Sequence, residues 1–233
     1  MSVYVGKNVQ ITIQVPIEYE DVYHKLTDLY DFRGITNPSD THKANHQESN
    51  SEPAPSDEGW SEFSNDEYDN IEFSDDTRCS FTTTVNGNYA LMLFRFKCNI
   101  DKTDVKKIVL TFEGYGTGTP GNGVTVKVWN HATSTWENAQ SGTGSTDEEI
   151  IITLTSNLTD YIDDNGFIYL LARTTNADDG TNHVTLYCDY VKCFVTQAKF
   201  TVDYTPISDR NMNGIANEVE HVTVKKMALK YPY

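Results

Sequence analysis

The sequence has few basic residues and lacks a long apolar run. Its 233 residues include 18 Lys and Arg against 34 Asp and Glu, a formal net charge of −16 at pH 7. So acidic a surface repels phosphates and anionic lipid headgroups, so we expect no direct nucleic-acid binding and no membrane partner. No apolar stretch approaches the roughly 20 residues of a membrane-spanning helix. Met1–Ile17 alternates polar and apolar residues, which predicts that no secretory signal is present.

The sequence also lacks the motifs of the common enzyme classes, because no G-x-S-x-G, H-E-x-x-H or P-loop pattern occurs. Gly116–Gly121 has the G-x-G-x-x-G spacing, but a strand follows it instead of a helix, which indicates a hairpin loop. Acidic pairs such as Asp75-Asp76 are expected to be solvated turn residues. A hydrolase would need two convergent carboxylates in a cleft, and no such pair can be named, so we predict no enzyme.

Metal-ligating and redox patterns are sparse. His42 and His46 have i, i+4 spacing, but no Cys and no intervening Glu accompanies them, so two solvated histidines are expected. The four cysteines match no zinc motif, and we expect buried small apolar residues, with one or two disulfides as the alternative. They are Cys79, Cys98, Cys188 and Cys193.

Short alternating segments separated by turn residues predict an all-β fold. Val124–Asn130 alternates apolar and polar residues, and turn sequences such as Asp164–Gly166 divide one segment from the next. Because no amphipathic helix intervenes, we predict a β-sandwich, jelly-roll-like, and a slip of the apolar pattern near Tyr190 predicts a β-bulge. The predicted strands are Ile71–Phe73, Cys79–Val85, Tyr89–Cys98, Lys107–Phe112, Val124–Asn130, Glu149–Thr155, Phe167–Thr174 and Val184–Thr196.

Composition divides the chain into four parts. The polar part is too poor in apolar residues to order itself, so a neighbouring surface, from the chain's own domain or from another copy, is expected to order it. The terminal strands are expected to form a small second sheet or assembly arms. The parts are 1–35, with a strand at Val3–Val15 and a helix at Glu18–Leu29; the polar segment 36–69; the sandwich 70–197; and 198–233, with strands at Lys199–Tyr204 and His221–Lys230.

The strongest local motif is a calcium-like loop at Asp209–Glu220. Its glycine stands at position 6, where a sharp turn needs a permissive backbone, and oxygen-bearing residues occupy the alternate positions that a hard cation requires. It resembles the calcium loops of extracellular proteins, although two Asn replace Asp, and an incidental Asn-Gly turn is the alternative. The predicted Ca²⁺ ligands are Asp209, Asn211, Asn213, Ile215 through its carbonyl, Asn217 and Glu220.

Tyr68–Thr196 resembles the β-sandwich modules of archaeal surface and disaggregatase-related proteins. The stretches that carry the resemblance are YDNIEFSDDTR, LFRFKCNID, FEGYGTGTPGNGVTVKVWNHATSTWE and LTDYIDDNGFIYLLART. It implies glycan binding or packing into surface assemblies, with Trp60, Trp129 and Trp136 as the aromatic candidates; packing on the sandwich face is the alternative role.

The opening MSVYVGKNVQITI is similar to the start of small tail and virion proteins of tailed viruses. That resemblance implies a signal-less structural protein whose strands pair edge to edge with copies of itself. Our leading hypothesis is therefore a self-assembling protein of an archaeal virion or virus-like tail, located in a virion or extracellular assembly. A glycan-binding module of an archaeal cell surface is the alternative.

Overall fold

The computed structural model describes residues 27–119 and 121–197, and within them the chain is almost entirely β. Helical structure there is limited to α1 (Asn65–Asp69) and two 3-10 turns, at Lys102–Asp104 and Leu158–Asp160. No helix in these residues is long and apolar enough to cross a membrane. The strands are β1 (Thr27–Tyr30), β2 (Lys43–Ser49), β3 (Ser61–Glu62), β4 (Cys79–Thr82), β5 (Tyr89–Lys97), β6 (Val105–Thr117), β7 (Val124–Asn130), β8 (Thr135–Gly142), β9 (Glu148–Leu154), β10 (Phe167–Thr174) and β11 (Thr185–Gln197).

These strands form two antiparallel sheets, which confirms the predicted all-β sandwich. The five-stranded sheet has the order β1-β11-β6-β9, and β4 also pairs with β11. The six-stranded sheet has the order β3-β2-β5-β10-β7-β8. The compact unit spans Thr27–Gln197, so the sandwich takes in residues that the sequence assigns to the N-terminal and polar segments.

The core lies between the two sheets. Phe94 of β5 in one sheet packs against Phe112 of β6 in the other, with their ring centroids 6.0 Å apart. Phe32, which follows β1, packs 5.8 Å from Phe94, and all three side chains are at most 1% exposed. Fully burying a side chain of this size stabilises the fold by about 1.5–3 kcal/mol.

The outer face of the six-stranded sheet carries a second apolar cluster. Leu91, Leu93 and Leu171 alternate with residues of the inter-sheet core and therefore point away from it. They are nevertheless only 0%, 3% and 1% exposed. Another part of the chain must cover them.

Residues 50–60, which join β2 to β3, are hydrogen-bonded to side chains of this sheet, so we assign the cover to them. Glu52 accepts hydrogen bonds from Lys127 Nζ of β7 at 2.6 Å and from Arg173 Nε of β10 at 2.7 Å. One carboxylate thus fixes the connection across two strands. The polar segment is ordered by the chain's own domain, which was one of the two expected sources.

The remainder of the polar segment is also built into the sandwich. Phe63 and Tyr68 are 0% and 1% exposed, and Tyr68 Oη accepts a hydrogen bond from the Ala44 N–H at 3.0 Å. Ser64 and Glu67 form a capping box at the start of α1. A few aromatic anchors therefore offset the low apolar content of this segment.

Three local predictions are corrected. Residues 71–73 form turns after α1 instead of a strand, and Thr27–Tyr30 is a strand where a helix is predicted to end. His42 and His46 are half-buried against aromatic rings instead of solvated, and His46 stacks on Phe81 at 4.4 Å. The cysteine prediction is supported, because all four are buried and free.

Candidate functional site

A β-bulge places Asp189 outside the regular pairing of β11. Cys188 and Tyr190 pair with Gly114 and Glu113, which are consecutive in β6, so Asp189 is the extra residue. The other edge of β11 pairs with β4 up to Cys188 and with β1 from Cys193 onward. Asp189 therefore lies in the gap between β4 and β1, and the predicted bulge is confirmed within one residue.

Asp189 is a buried carboxylate with one oxygen left unpaired. The residue is 1% exposed, and its Oδ1 has no hydrogen-bond partner. Backbone N–H groups of Asp75 and Asp76 bond to the carboxylate, but burial outweighs them and raises the pKa of Asp189 above its usual value. An unpaired buried carboxylate oxygen is costly, which makes this position unusual in the fold.

Two further carboxylates converge on Asp189. One oxygen each from Asp76, Asp147 and Asp189 lie within 4.8 Å of one another. Asp76 is in the turn before β4, with φ 67°, and Asp147 immediately precedes β9. The site therefore joins three segments that are distant in sequence, and carboxylate oxygens in this arrangement are ligands that hard cations prefer.

Arg78 provides the nearest positive charge. Its Nε lies 3.0 Å and 2.9 Å from the two carboxylate oxygens of Asp147, and its Nη2 lies 3.0 Å from Asp76 Oδ1. The hydrogen bond to Asp147 raises the pKa of Arg78 above its usual value. The guanidinium thus balances part of the charge of the cluster while its side chain keeps 29% exposure.

A fourth acid adds to the negative charge. Burial raises the pKa of Glu113 on β6, and the charges of Asp189, Glu149 and Asp147 raise it further. Beside the cluster, the rings of Tyr115 and Tyr187 stack at 4.6 Å. The site therefore combines concentrated negative charge with an adjacent aromatic surface.

Of the predicted tryptophan candidates, Trp129 and Trp136 lie on β7 and β8 of the six-stranded sheet, and Trp60 ends the connection that covers it. Trp129 and Trp136 face each other across β7 and β8, with centroids 5.0 Å apart and planes at 67°. Trp136 Nε1 donates to the Pro53 carbonyl at 2.9 Å, and Trp60 Nε1 donates to the Ala54 carbonyl at 3.1 Å. All three rings are half-buried, so they support the covering segment and keep some exposed surface.

The predicted calcium loop, Asp209–Glu220, lies outside the described residues. Sequence reasoning did not find the cluster of Asp76, Asp147 and Asp189, since it treats Asp75-Asp76 as a solvated pair. The one sequence feature that points to this place is the break in apolar alternation near Tyr190. It marks a bulge, and bulges frequently re-aim a side chain near a functional site.

Similarity to known structures is weak. The crystal structure of the enzymatically active domain of tailspike protein 4 from bacteriophage CBA120 matches with a TM-score of 0.30 and 7% identity. The match covers 76% of this chain and 20% of the tailspike chain, so this chain spans a fifth of that protein's length. A likeness at this level supports no argument about function. A search of curated proteins finds no match.

A family model matches the sandwich. It is AF_1625_C, whose description is "Uncharacterized protein, C-terminal domain", and it aligns with residues 39–197. The matched region ends with β11, as the compact unit does, but it starts in the polar segment and leaves out β1. Because it covers more than half of the 233 residues, the chain belongs to the AF_1625_C family.

Proposed function

We propose that this chain is a non-enzymatic, self-assembling structural protein of a virion or virus-like tail or filament, in which the sandwich is displayed on the assembly. The observation that carries the proposal is where the chain enters and leaves the sandwich. Thr27 of β1 pairs with Thr196 of β11, and their hydroxyl oxygens are 3.0 Å apart. Beside this pair, Gln197 Nε2 donates a hydrogen bond to Asp28 Oδ2 at 2.9 Å.

A domain whose first and last residues lie side by side is suited to insertion into, or presentation by, another structure. Residues 1–26 and 198–233 both attach at this one place on the five-stranded sheet. In the proposal, these flanking parts pair with other copies through the strands predicted at Val3–Val15 and His221–Lys230, and the sandwich decorates the resulting framework. The assembly is located in a virion or outside the cell, and the acidic surface keeps nucleic acid from adhering to it.

The test compares the full chain with the fragment 27–197, which holds a buried core of its own. Size-exclusion chromatography with light scattering should show concentration-dependent assembly of the full chain, and negative-stain microscopy should show rings or filaments. The fragment should remain monomeric. A full chain that is monomeric at every concentration, with and without calcium, would rule the proposal out.

Glycan binding is the second candidate, favoured by the half-buried tryptophan pair of β7 and β8. Polar groups surround the pair, because Asn130 donates to Glu137 at 3.0 Å beside Trp129 and Trp136. In this proposal the exposed ring surface stacks on a sugar. A glycan array should give binders that Trp129→Ala loses and that the exposed-loop control Phe73→Ala retains. An array without binders would refute it.

A further inference from the structure

We propose that Asp76, Asp147 and Asp189 form a calcium-binding site within the sandwich. The site is independent of the proposed assembly function and distinct from the loop predicted at Asp209–Glu220. The ligands come from the turn before β4, the residue before β9 and the bulge of β11. A bound cation would therefore join three parts of the five-stranded sheet that are distant in sequence.

The unpaired oxygen of Asp189 is the observation that distinguishes this cluster from an ordinary acidic surface. Asp189 is 1% exposed, and its Oδ1 has no partner although backbone N–H groups hold the carboxylate in place. A buried carboxylate oxygen without a donor is destabilising, and a cation removes that cost. The residue is thus oriented toward Asp76 and Asp147 before any ion arrives.

Distance and charge favour calcium. Calcium binds carboxylate oxygens at about 2.3–2.6 Å, so two ligands on opposite sides of the ion are about 5 Å apart. The three oxygens lie within 4.8 Å of one another, a distance that two calcium–oxygen bonds can bridge. Magnesium, with bonds of about 2.0–2.1 Å, requires a tighter octahedron. Three carboxylates against the single guanidinium of Arg78 leave two negative charges, which a divalent ion balances.

Arg78 determines how binding would proceed. Its guanidinium contacts both Asp147 and Asp76, so it occupies part of the space around the outer ligands. The side chain is 29% exposed, so it can turn toward solvent when a cation replaces it, although it then gives up its hydrogen bonds to Asp147. Removing this competing charge should therefore tighten calcium binding. Arg78→Gln gives a gain-of-affinity test that a merely structural cluster would fail.

The experiment uses the full chain after chelation with EDTA, followed by thermal unfolding with and without CaCl₂. Calcium at about 100 times its Kd should raise the Tm by about 5–10 °C, given the size of the domain. Asp189→Asn and Asp147→Asn should lose this shift, and Arg78→Gln should reach it at lower calcium. Asp164→Asn, an exposed acid paired with Lys102, is the matched control and should respond like the wild type.

Two more variants separate alternative results. Asp209→Asn, in the predicted loop, should keep the sandwich's response, and Asp76→Asn, whose side chain is 85% exposed, replaces Asp189→Asn if that variant does not fold. The proposal is overturned if the wild type shows no shift at 10 mM calcium or an equal shift with magnesium. It is also overturned if the shift survives in the Asp147 and Asp76 variants or disappears with Asp209→Asn.

Discussion

Cys79 of β4 and Cys188 of β11 face each other as directly paired residues, and both are buried free thiols. Burial raises the pKa of both thiols above the usual value, and the charge of Glu67 raises that of Cys79 further. Because the thiolate is the reactive form, these thiols should be nearly inert in the folded protein.

The first prediction is that thiol labelling depends on unfolding. In native buffer without reductant, a thiol reagent such as DTNB should label less than one of the 4 cysteines over an hour. In guanidinium chloride it should label all four. Rapid native labelling would contradict the burial, and incomplete labelling in denaturant would indicate a disulfide.

The second prediction concerns the start of the sandwich. Phe32 is 1% exposed and its ring lies 5.5 Å from Phe96, so Phe32→Ala should lower the free energy of unfolding by about 3–5 kcal/mol. Phe73 is 51% exposed, and Phe73→Ala should change stability by less than about 0.5 kcal/mol. Urea unfolding of the two variants measures both values. Equal effects would mean that Phe32 does not belong to the core.

The strands that sequence predicts best are those with local signals. Val124–Asn130 and Phe167–Thr174 have the predicted bounds. The first alternates apolar and polar residues, and the second is a largely apolar run that begins after an Asp-Asn-Gly turn. Strand β2, Lys43–Ser49, was missed since Ala44 is its only apolar residue. Its pairing with β5 stabilises it, and such distant partners leave no pattern in the local sequence.

The candidate site could not be predicted for the same reason. Asp76, Asp147 and Asp189 are separated by long stretches of chain, and only the pairing of β11 with β4, β6 and β1 brings their segments together. The break in apolar alternation near Tyr190 predicts the bulge. It does not predict which side chain the bulge turns toward other acids. Metal loops such as the one predicted at Asp209–Glu220 are recognisable because all their ligands are local.

The third prediction is a pH dependence from Asp178. This carboxylate accepts hydrogen bonds at 2.7 Å from Thr83 Oγ1 and from the Gly180 N–H, and it contacts His183 Nδ1 at 2.7 Å. These hydrogen bonds, chiefly that of His183, lower the pKa of Asp178 below its usual 3.8. A lowered folded-state pKa means that the stabilisation is complete above the unfolded-state pKa and is lost as the pH falls through the lower, folded-state value.

Asp178→Asn should therefore be less stable than the wild type at pH 7, and the difference should shrink between pH 4 and pH 2. Urea midpoints measured across this range give the comparison, with the exposed Asp40→Asn as control. If the Asp178→Asn and wild-type curves remain parallel down to pH 2, the hydrogen-bonded carboxylate does not contribute as argued.

The last prediction concerns the connection that covers the six-stranded sheet. Burial alone would raise the pKa of Glu52, but hydrogen bonds and charge from Lys127 and Arg173 outweigh it and lower the pKa. Glu52→Gln keeps the shape and removes the charge, so it should cost about 1 kcal/mol and expose residues 50–60 to limited proteolysis. Asp164→Asn removes an exposed pair and should leave the cleavage rate unchanged. Leu91 and Leu171 are buried and pair directly with Arg173 and Lys127, the two residues that bind Glu52. If Glu52→Gln is cleaved at the wild-type rate, the burial of these leucines, and not the ion pair, holds the connection in place.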